Sequence, residues 1–472
     1  MELSVGLRTV WAIVLLVLAP AVRLTEAQGS SVWTVRPEWV KAHEDFLASD
    51  VLAGRGSATR DEQLAATYVA SEFEGYGLKP APGMTGYLQS ANVDMPMLDG
   101  HSRLDVSGTS LNEGSDYELL MSPAVSAEGP LLRLSVNETA SIHVDRGAAV
   151  LLAGAGDPDA AWRAISDLRH AGAAIVLLST SPAMMNLYAQ MGSHTRTPSR
   201  LAGDRGPRAS ATVVLLKPEA FSRLAGMAVG SAVSVKVNRV QESAPRLTYN
   251  ALGYLPGSDP DAGTILLTAH LDHLGVGQPV NGDAIYNGAN DDAAGTTAVL
   301  ELARALAAGP RLRRNILFVC YGSEEVGELG STYFGEHPPV PLKSLIANLE
   351  FEMIGNQDPK MPKGVLLLTG WERSNLGPEL RAHGALLGPD PYPEQHFFER
   401  SDNYSLALRG VVAHTAAGFG TVATYHQPDD DVAHLDLPFM TSAIQSLVEP
   451  MRWLASSSFV PRWNPGGQPK GR

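Results

Sequence analysis

From residue 246 onward, short apolar runs alternate with stretches of helical periodicity. Runs at 265–268 and 315–321, followed by 346–351, 364–368 and 411–414, read as strands. Residues 293–308 and 437–454 read as helices between and after them. Continuous apolar runs of this kind are buried on both faces, so the alternation predicts an α/β fold with a mixed, mainly parallel sheet flanked by helices. Nearer the N-terminus, 37–49 and 60–76 carry apolar residues at helical spacing, joined by the loop Leu52-Ala53-Gly54-Arg55-Gly56. Between 90 and 245 the texture changes to short β-like runs broken by Gly, Ser and Pro. One strand–helix–strand unit lies within it, at 149–152, 160–170 and 174–178. This stretch predicts a smaller, β-rich inserted domain. Residues 246–457 form the main unit, and the composition of 458–472, ending NPGGQPKGR, predicts a disordered tail.

Composition narrows the function classes. Of 472 residues, 44% are hydrophobic and 18% charged, ordinary globular values. The formal net charge of -14, with no basic run, argues against a nucleic-acid or anionic-membrane partner. Residues 1–27 have the form of a cleaved signal peptide. Arg8 supplies the positive start, 10–18 the apolar core and Thr25-Glu26-Ala27 a cleavage site. No later stretch is long and apolar enough to cross a bilayer, so the expectation is a secreted or periplasmic protein without stable membrane insertion. Cys320, the only cysteine, sits in an apolar run and reads as a buried strand residue.

Four stretches carry chemistry. His270 and Asp272 fall just where the run 265–268 ends, and Asn290-Asp291-Asp292 precedes the helix 293–308. Open α/β sheets gather their reacting groups in the crevice at such strand ends. Glu324 and Glu325 follow the run 315–321, and adjacent side chains there point in different directions. One glutamate can therefore bind a metal while the other acts as a general base. Glu350 and Glu352 alternate onto one strand face, and Glu352, nearer the loop, is the better ligand candidate. His426 lies in the turn-rich Thr424-Tyr425-His426-Gln427-Pro428-Asp429-Asp430-Asp431. Imidazoles and carboxylates without a cysteine cluster suit a metal such as zinc. Among the 13 histidines, His273, His396, His414 and His434 rank behind these candidates.

The motifs AHLDH, NGANDDAAG, SEEVGELGS, FEMIG, RSDNYSLALRG and TYHQPDDD, in this order, resemble those of the M28 family of zinc exopeptidases, the bacterial leucyl-type aminopeptidase group. The N-terminal LASDVLAGRGSATRDEQLAATYVASEFEGYGLKPA is similar to the lead-in of its larger exported members, so 32–89 is expected to belong to the catalytic domain. Residues 90–245 resemble a protease-associated (PA) insertion. The resemblance implies a zinc exopeptidase fold, two zinc ions per chain and peptide substrates cleaved at the N-terminus. By it His270 and Glu352 hold one zinc, Asp291 bridges both, and Glu325 and His426 hold the other. Glu324 is the general base for a water between the metals, Asp272 accepts the second ring N–H of His270, and Tyr425 steadies the oxyanion. Asp402 would serve His426 in the way Asp272 serves His270. The family usually has Asp where Glu352 stands, a departure that adds a methylene. A cis peptide at Asp291–Asp292 is also implied. M28-type carboxypeptidases and glutaminyl cyclases share these motifs, Arg373 or Arg400 being candidates to bind a terminal carboxylate. A catalytically silent binding protein of the same fold is the remaining alternative.

Overall fold

The computed structural model describes residues 34–470, apart from 124–125, 141, 143, 191–197, 205–210, 241–245 and 419–422. The expected signal segment 1–27 lies outside the described residues. Every position of the strands Thr264–His270 and Asn315–Tyr321 is buried, which requires packing on both sheet faces. These two pair in parallel at the centre of a nine-stranded sheet, and Leu345–Glu352 and Ala413–Ala417 extend the parallel block. Antiparallel strands flank the block. Arg246–Leu255 and Leu88–Asp94 lie on one side, and Leu366–Leu368 pairs antiparallel with Ala413–Ala417 on the other. The sheet is therefore mixed, with its parallel strands in the middle. Helix Ala294–Ala307, buried along nearly its whole length, packs on this block beside Pro37–Leu47 and Leu437–Ser456.

The inserted segment forms a second sheet of eight strands with its own apolar core. Its boundaries differ from 90–245. Leu88–Asp94 belongs to the nine-stranded sheet, paired with Arg246–Leu255, because its alternate residues Ala91 and Val93 bury against Ala58 and Leu329. The short strand Arg200–Leu201 also leaves the insert to pair with Leu88–Asp94. The C-terminal residues are not a free tail. Asn464 N–H donates to Arg373 O at 2.8 Å, Arg462 N–H to Asn375 Oδ1 at 2.7 Å and Trp463 Nε1–H to Gly410 O at 3.2 Å. Trp463 also packs against Phe398 and His414, and this aromatic anchor offsets the polar composition around it. Cys320 is buried and free.

One buried acid in the N-terminal helix gives the fold a pH dependence. Glu44 accepts from Thr297 Oγ1 at 2.7 Å, while its other oxygen has no hydrogen-bond partner among the described residues. Burial pushes its carboxyl up from 4.5 to about 8. A carboxyl raised in the folded state contributes fully below its unfolded pKa, and that contribution is lost as pH rises towards the folded value. Glu44→Gln keeps the acceptor for Thr297. It should match the parent at pH 4.5 and exceed it at pH 8 by roughly 4 kcal/mol in urea unfolding. Equal pH dependence in the two proteins would contradict this assignment.

Candidate metal centre

Three strand ends and two turns bring the candidate donors together. His270 closes the strand Thr264–His270, and its carbonyl accepts from Thr296 Oγ1 at 2.7 Å, which ties the strand end to the helix start. Asp291 and Asp292 sit in the irregular turn Ala289–Ala293 before that helix, joined by a cis peptide. Gly288 enters this turn at φ 61°, where a Cβ would run into the His273 ring and Asp291 O, so only glycine fits. Glu324 and Glu325 follow Asn315–Tyr321, and Glu352 ends Leu345–Glu352. His426 is held at φ 55° in the turn that begins at 423. Ser323 and Met353, also at positive φ, flank the glutamates. Left-handed backbone at bulky residues collects where surrounding contacts enforce a special geometry.

These donors lie within ion-pair distance of one another. His270 Nε2 lies 3.2 Å from Asp291 Oδ1; His426 Nε2 lies 3.2 Å from both Asp291 Oδ2 and Glu325 Oε2. His273 Nδ1 is 2.8 Å from Glu325 Oε1. Among the described residues, His270 Nε2, Glu325 Oε1 and Glu352 Oε2 are buried with no hydrogen-bond partner. Buried polar atoms left unpaired cost about 1–3 kcal/mol each, so several in one crevice point to a missing partner. Zinc bound to nitrogen and oxygen at about 2.0–2.2 Å in tetrahedral geometry spaces its ligand atoms roughly 3.3 Å apart. The donor set and its spacing fit a zinc-type ion.

Burial and the neighbouring Glu325 push the Asp291 carboxyl up, but His270 and His426 more than offset them, leaving it below the ordinary carboxylate range. Glu324 goes the other way. Burial raises its carboxyl well above the usual value, Glu325, Asp402 and Glu352 add to the rise, and His270 opposes them. Burial also raises Glu352, to about 6, again opposed by His270.

A second layer of buried groups holds these donors. Asp272 was expected to accept the His270 ring N–H. Its carboxylate is instead 3.8 Å from Nδ1, which meets Asp272 O at 3.2 Å. The Asp272 carboxylate takes Ser57 Oγ–H at 2.5 Å and the backbone N–H groups of Glu324 at 3.0 Å and Glu325 at 3.4 Å. It thus orients the two glutamates directly. Asp292 accepts from Gly295 N and Met353 N, both at 2.9 Å. Asp430 accepts from Asn290 N at 2.9 Å and Asp291 N at 3.0 Å, linking the His426 turn to the Asp291 turn. Glu62 takes Ser323 N at 3.1 Å and Ser323 Oγ at 3.0 Å, along with Ala58, Thr248 and Tyr249.

Arg55 does the most. Fully buried, its guanidinium donates to Leu271 O at 2.9 Å, Leu47 O at 2.5 Å, Asn287 O at 2.6 Å and Gly288 O at 2.8 Å. One side chain thereby fastens the segment after His270 to the segment before Asp291.

The structure gathers His270, Asp291, Glu325 and His426 at contact distances and leaves Glu324 and Glu352 within electrostatic reach of His270. Tyr425 is 43% exposed, so it is no core tyrosine, and its ring stacks on His426 at 3.9 Å. Glu350 is turned away, accepting from Asn403 N at 2.5 Å and Thr415 Oγ1 at 3.1 Å. Asp402, expected beside His426, lies within electrostatic reach of His270, Asp272 and Glu352. His414 is a buried structural histidine between Ser374 and Thr369, and His434 pairs with Asp431 on the surface. Arg373 is committed to Phe398 and Gly467. His273, ranked behind the other candidates in the sequence, also lies in this crevice, and Asp292, Asp430, Arg55, Ser57 and Glu62 support it without having been singled out there.

A mixed α/β sheet with imidazoles and carboxylates converging at its parallel strand ends places a candidate metal-binding crevice where open α/β sheets gather their reacting groups. Residues 250–449 match the family described as Peptidase family M28. Leupeptin-inactivating enzyme 1 of Streptomyces exfoliatus is 34% identical over 113 residues, 24% of this chain and 24% of its own. Aminopeptidase YwaD of Bacillus subtilis is 30% identical over 112 residues, 24% of this chain and 20% of its own. The matched stretches thus span about a quarter or less of these relatives. The fold likeness is broader. An aminopeptidase from Aneurinibacillus sp. strain AM-1 shares it with a TM-score of 0.58 at 17% identity, covering 89% of this chain and 94% of that one. BSAP, a zinc aminopeptidase from Bacillus subtilis, gives 0.55 at 18% identity, covering 89% and 96%.

Proposed function

We propose that this chain is an exported di-zinc aminopeptidase that removes N-terminal residues from peptides. The observation that carries the reading is the crevice of buried, unpaired nitrogen and oxygen atoms around Asp291. His270, Asp291 and Glu352 would hold one ion; Asp291, Glu325 and His426 would hold the other. When bound, such a pair lowers the pKa of a water between the ions and polarises the scissile carbonyl. Glu324, kept by its surroundings well above the usual carboxylate pKa, takes the proton of the attacking water and delivers it to the leaving amine. Asp272 accepts from the backbone N–H of Glu324 at 3.0 Å, which fixes the segment that carries this base. Tyr425, exposed at the rim beside His426, is placed to donate to the developing oxyanion.

The eight-stranded insert, read as a PA-like domain, would restrict substrates to short or flexible chain ends. Its strand Arg200–Leu201 packs with Val326, Leu329 and Tyr333, directly after the candidate ligand Glu325, which supports a place at the edge of the cleft. The mature protein should cleave aminoacyl-anilides with a free amine, and a zinc chelator should abolish the cleavage. Release from the C-terminus of N-blocked peptides would establish a carboxypeptidase instead, with Arg400, within electrostatic reach of Glu352, as the anion site. Cyclisation of N-terminal glutaminyl peptides would establish the cyclase.

A further inference from the structure

His273 is fully buried, and neither of its ring nitrogens has a hydrogen-bond partner among the described residues. Its ring faces the candidate metal centre. Nδ1 lies 2.8 Å from Glu325 Oε1 and 3.9 Å from Asp291 Oδ2, and the ring meets His426 edge-on at 5.6 Å. Nδ1 and one oxygen from each of Asp291 and Glu325 all lie within 4.8 Å of one another, close enough to share an ion. The ring is fixed there. Its backbone N–H donates to Arg55 O at 3.1 Å, its backbone bridges to Gly56, and a side chain at Gly288 would strike the ring.

The contact with Glu325 is short but does not have the direction of a hydrogen bond, since both atoms remain unpaired. Two ligands of one ion have this arrangement, because both lone pairs point at a common centre and not at each other. At 2.8 Å the two atoms are close enough to be donors to one ion. We propose that His273 is a sixth metal-binding residue, joining His426, Asp291 and Glu325 around one ion. This inference rests on the two-metal reading above and deepens it. The His273 site would carry two imidazoles and two carboxylates, whereas the site of His270, Asp291 and Glu352 would carry one imidazole and two carboxylates. Nitrogen donors favour zinc, cobalt and nickel, and carboxylate-rich sets accept manganese or magnesium more readily. The two sites should therefore fill unequally with borderline metals, the His273 site first.

Cobalt(II) titration of the metal-free full chain tests this, with visible absorption recorded for the parent, His273→Asn and His273→Gln. The parent should bind two equivalents in separate steps. Each variant should weaken one step by more than about 100-fold, beyond the 10–100-fold expected for an outer hydrogen-bonding group, and shift the visible band of that ion. Retention of the other step shows that the variant is folded. Two unchanged steps with an unchanged spectrum would overturn the proposal. A loss under about 100-fold with the spectrum unchanged would also overturn it, making His273 a prop for Glu325. A parent chain that binds no cobalt would instead remove the two-metal reading itself.

Discussion

Glu324→Gln is expected to reduce peptide-bond hydrolysis by about a thousandfold, within the 10²–10⁴ range of a positioned general base, without changing metal content. The amide preserves the shape of the side chain but cannot take a proton. The backbone N–H of Glu324 would still donate to Asp272, so Glu325 should keep its place. The effect should fall on kcat, because the proton moves only as the transition state forms. Steady-state kinetics on an aminoacyl-anilide, beside elemental analysis of both proteins, checks this. A variant that keeps a tenth or more of parental kcat would mean that another group takes the proton, Asp402 being a carboxyl within electrostatic reach that holds no ion in this reading.

Arg55→Met should be the most destabilising single exchange in the N-terminal segment. Four backbone carbonyls share this guanidinium, and each buried acceptor left without a donor costs about 1–3 kcal/mol. Even with partial relaxation the loss should reach about 4 kcal/mol, much of an ordinary domain's stability. Arg55→Lys retains the charge but not the planar fork that reaches several acceptors at once. It should fold with intermediate stability and bind metal more weakly, because Leu271 and Gly288 lie next to the segments bearing His270 and Asp291. Urea unfolding and metal content measure both effects. Parental values in both variants would show that Arg55 fills space without holding the site.

Much of this architecture was legible because the parallel strands are uninterrupted apolar runs. Positions 265–268 and 315–321 coincide with Thr264–His270 and Asn315–Tyr321, and the candidate donors follow directly at the strand ends. The supports were not legible, for physical reasons. Arg55, in a Gly-rich loop, has the local sequence of an exposed turn, and its burial arises only when two distant segments, at Leu271 and Asn287, close over it beside the nearby Leu47. Asp430 lies in an acidic run after a proline, where a solvated turn is the ordinary outcome, yet it accepts from two N–H groups of the Asp291 turn. Leu88–Asp94 was assigned in part to the insert because its partner Arg246–Leu255 lies beyond the whole inserted sheet. The C-terminal residues read as free because composition does not register a single anchoring tryptophan.

The central claim is that His270, Asp291, Glu325, Glu352 and His426 form a two-zinc centre. Anomalous diffraction at the zinc absorption edge, from crystals of the full mature chain grown with zinc, tests it most directly. The account predicts two peaks in this crevice, one between His270, Asp291 and Glu352 and one between Asp291, Glu325 and His426. No peak in the crevice, or zinc bound only elsewhere on the surface, would contradict it.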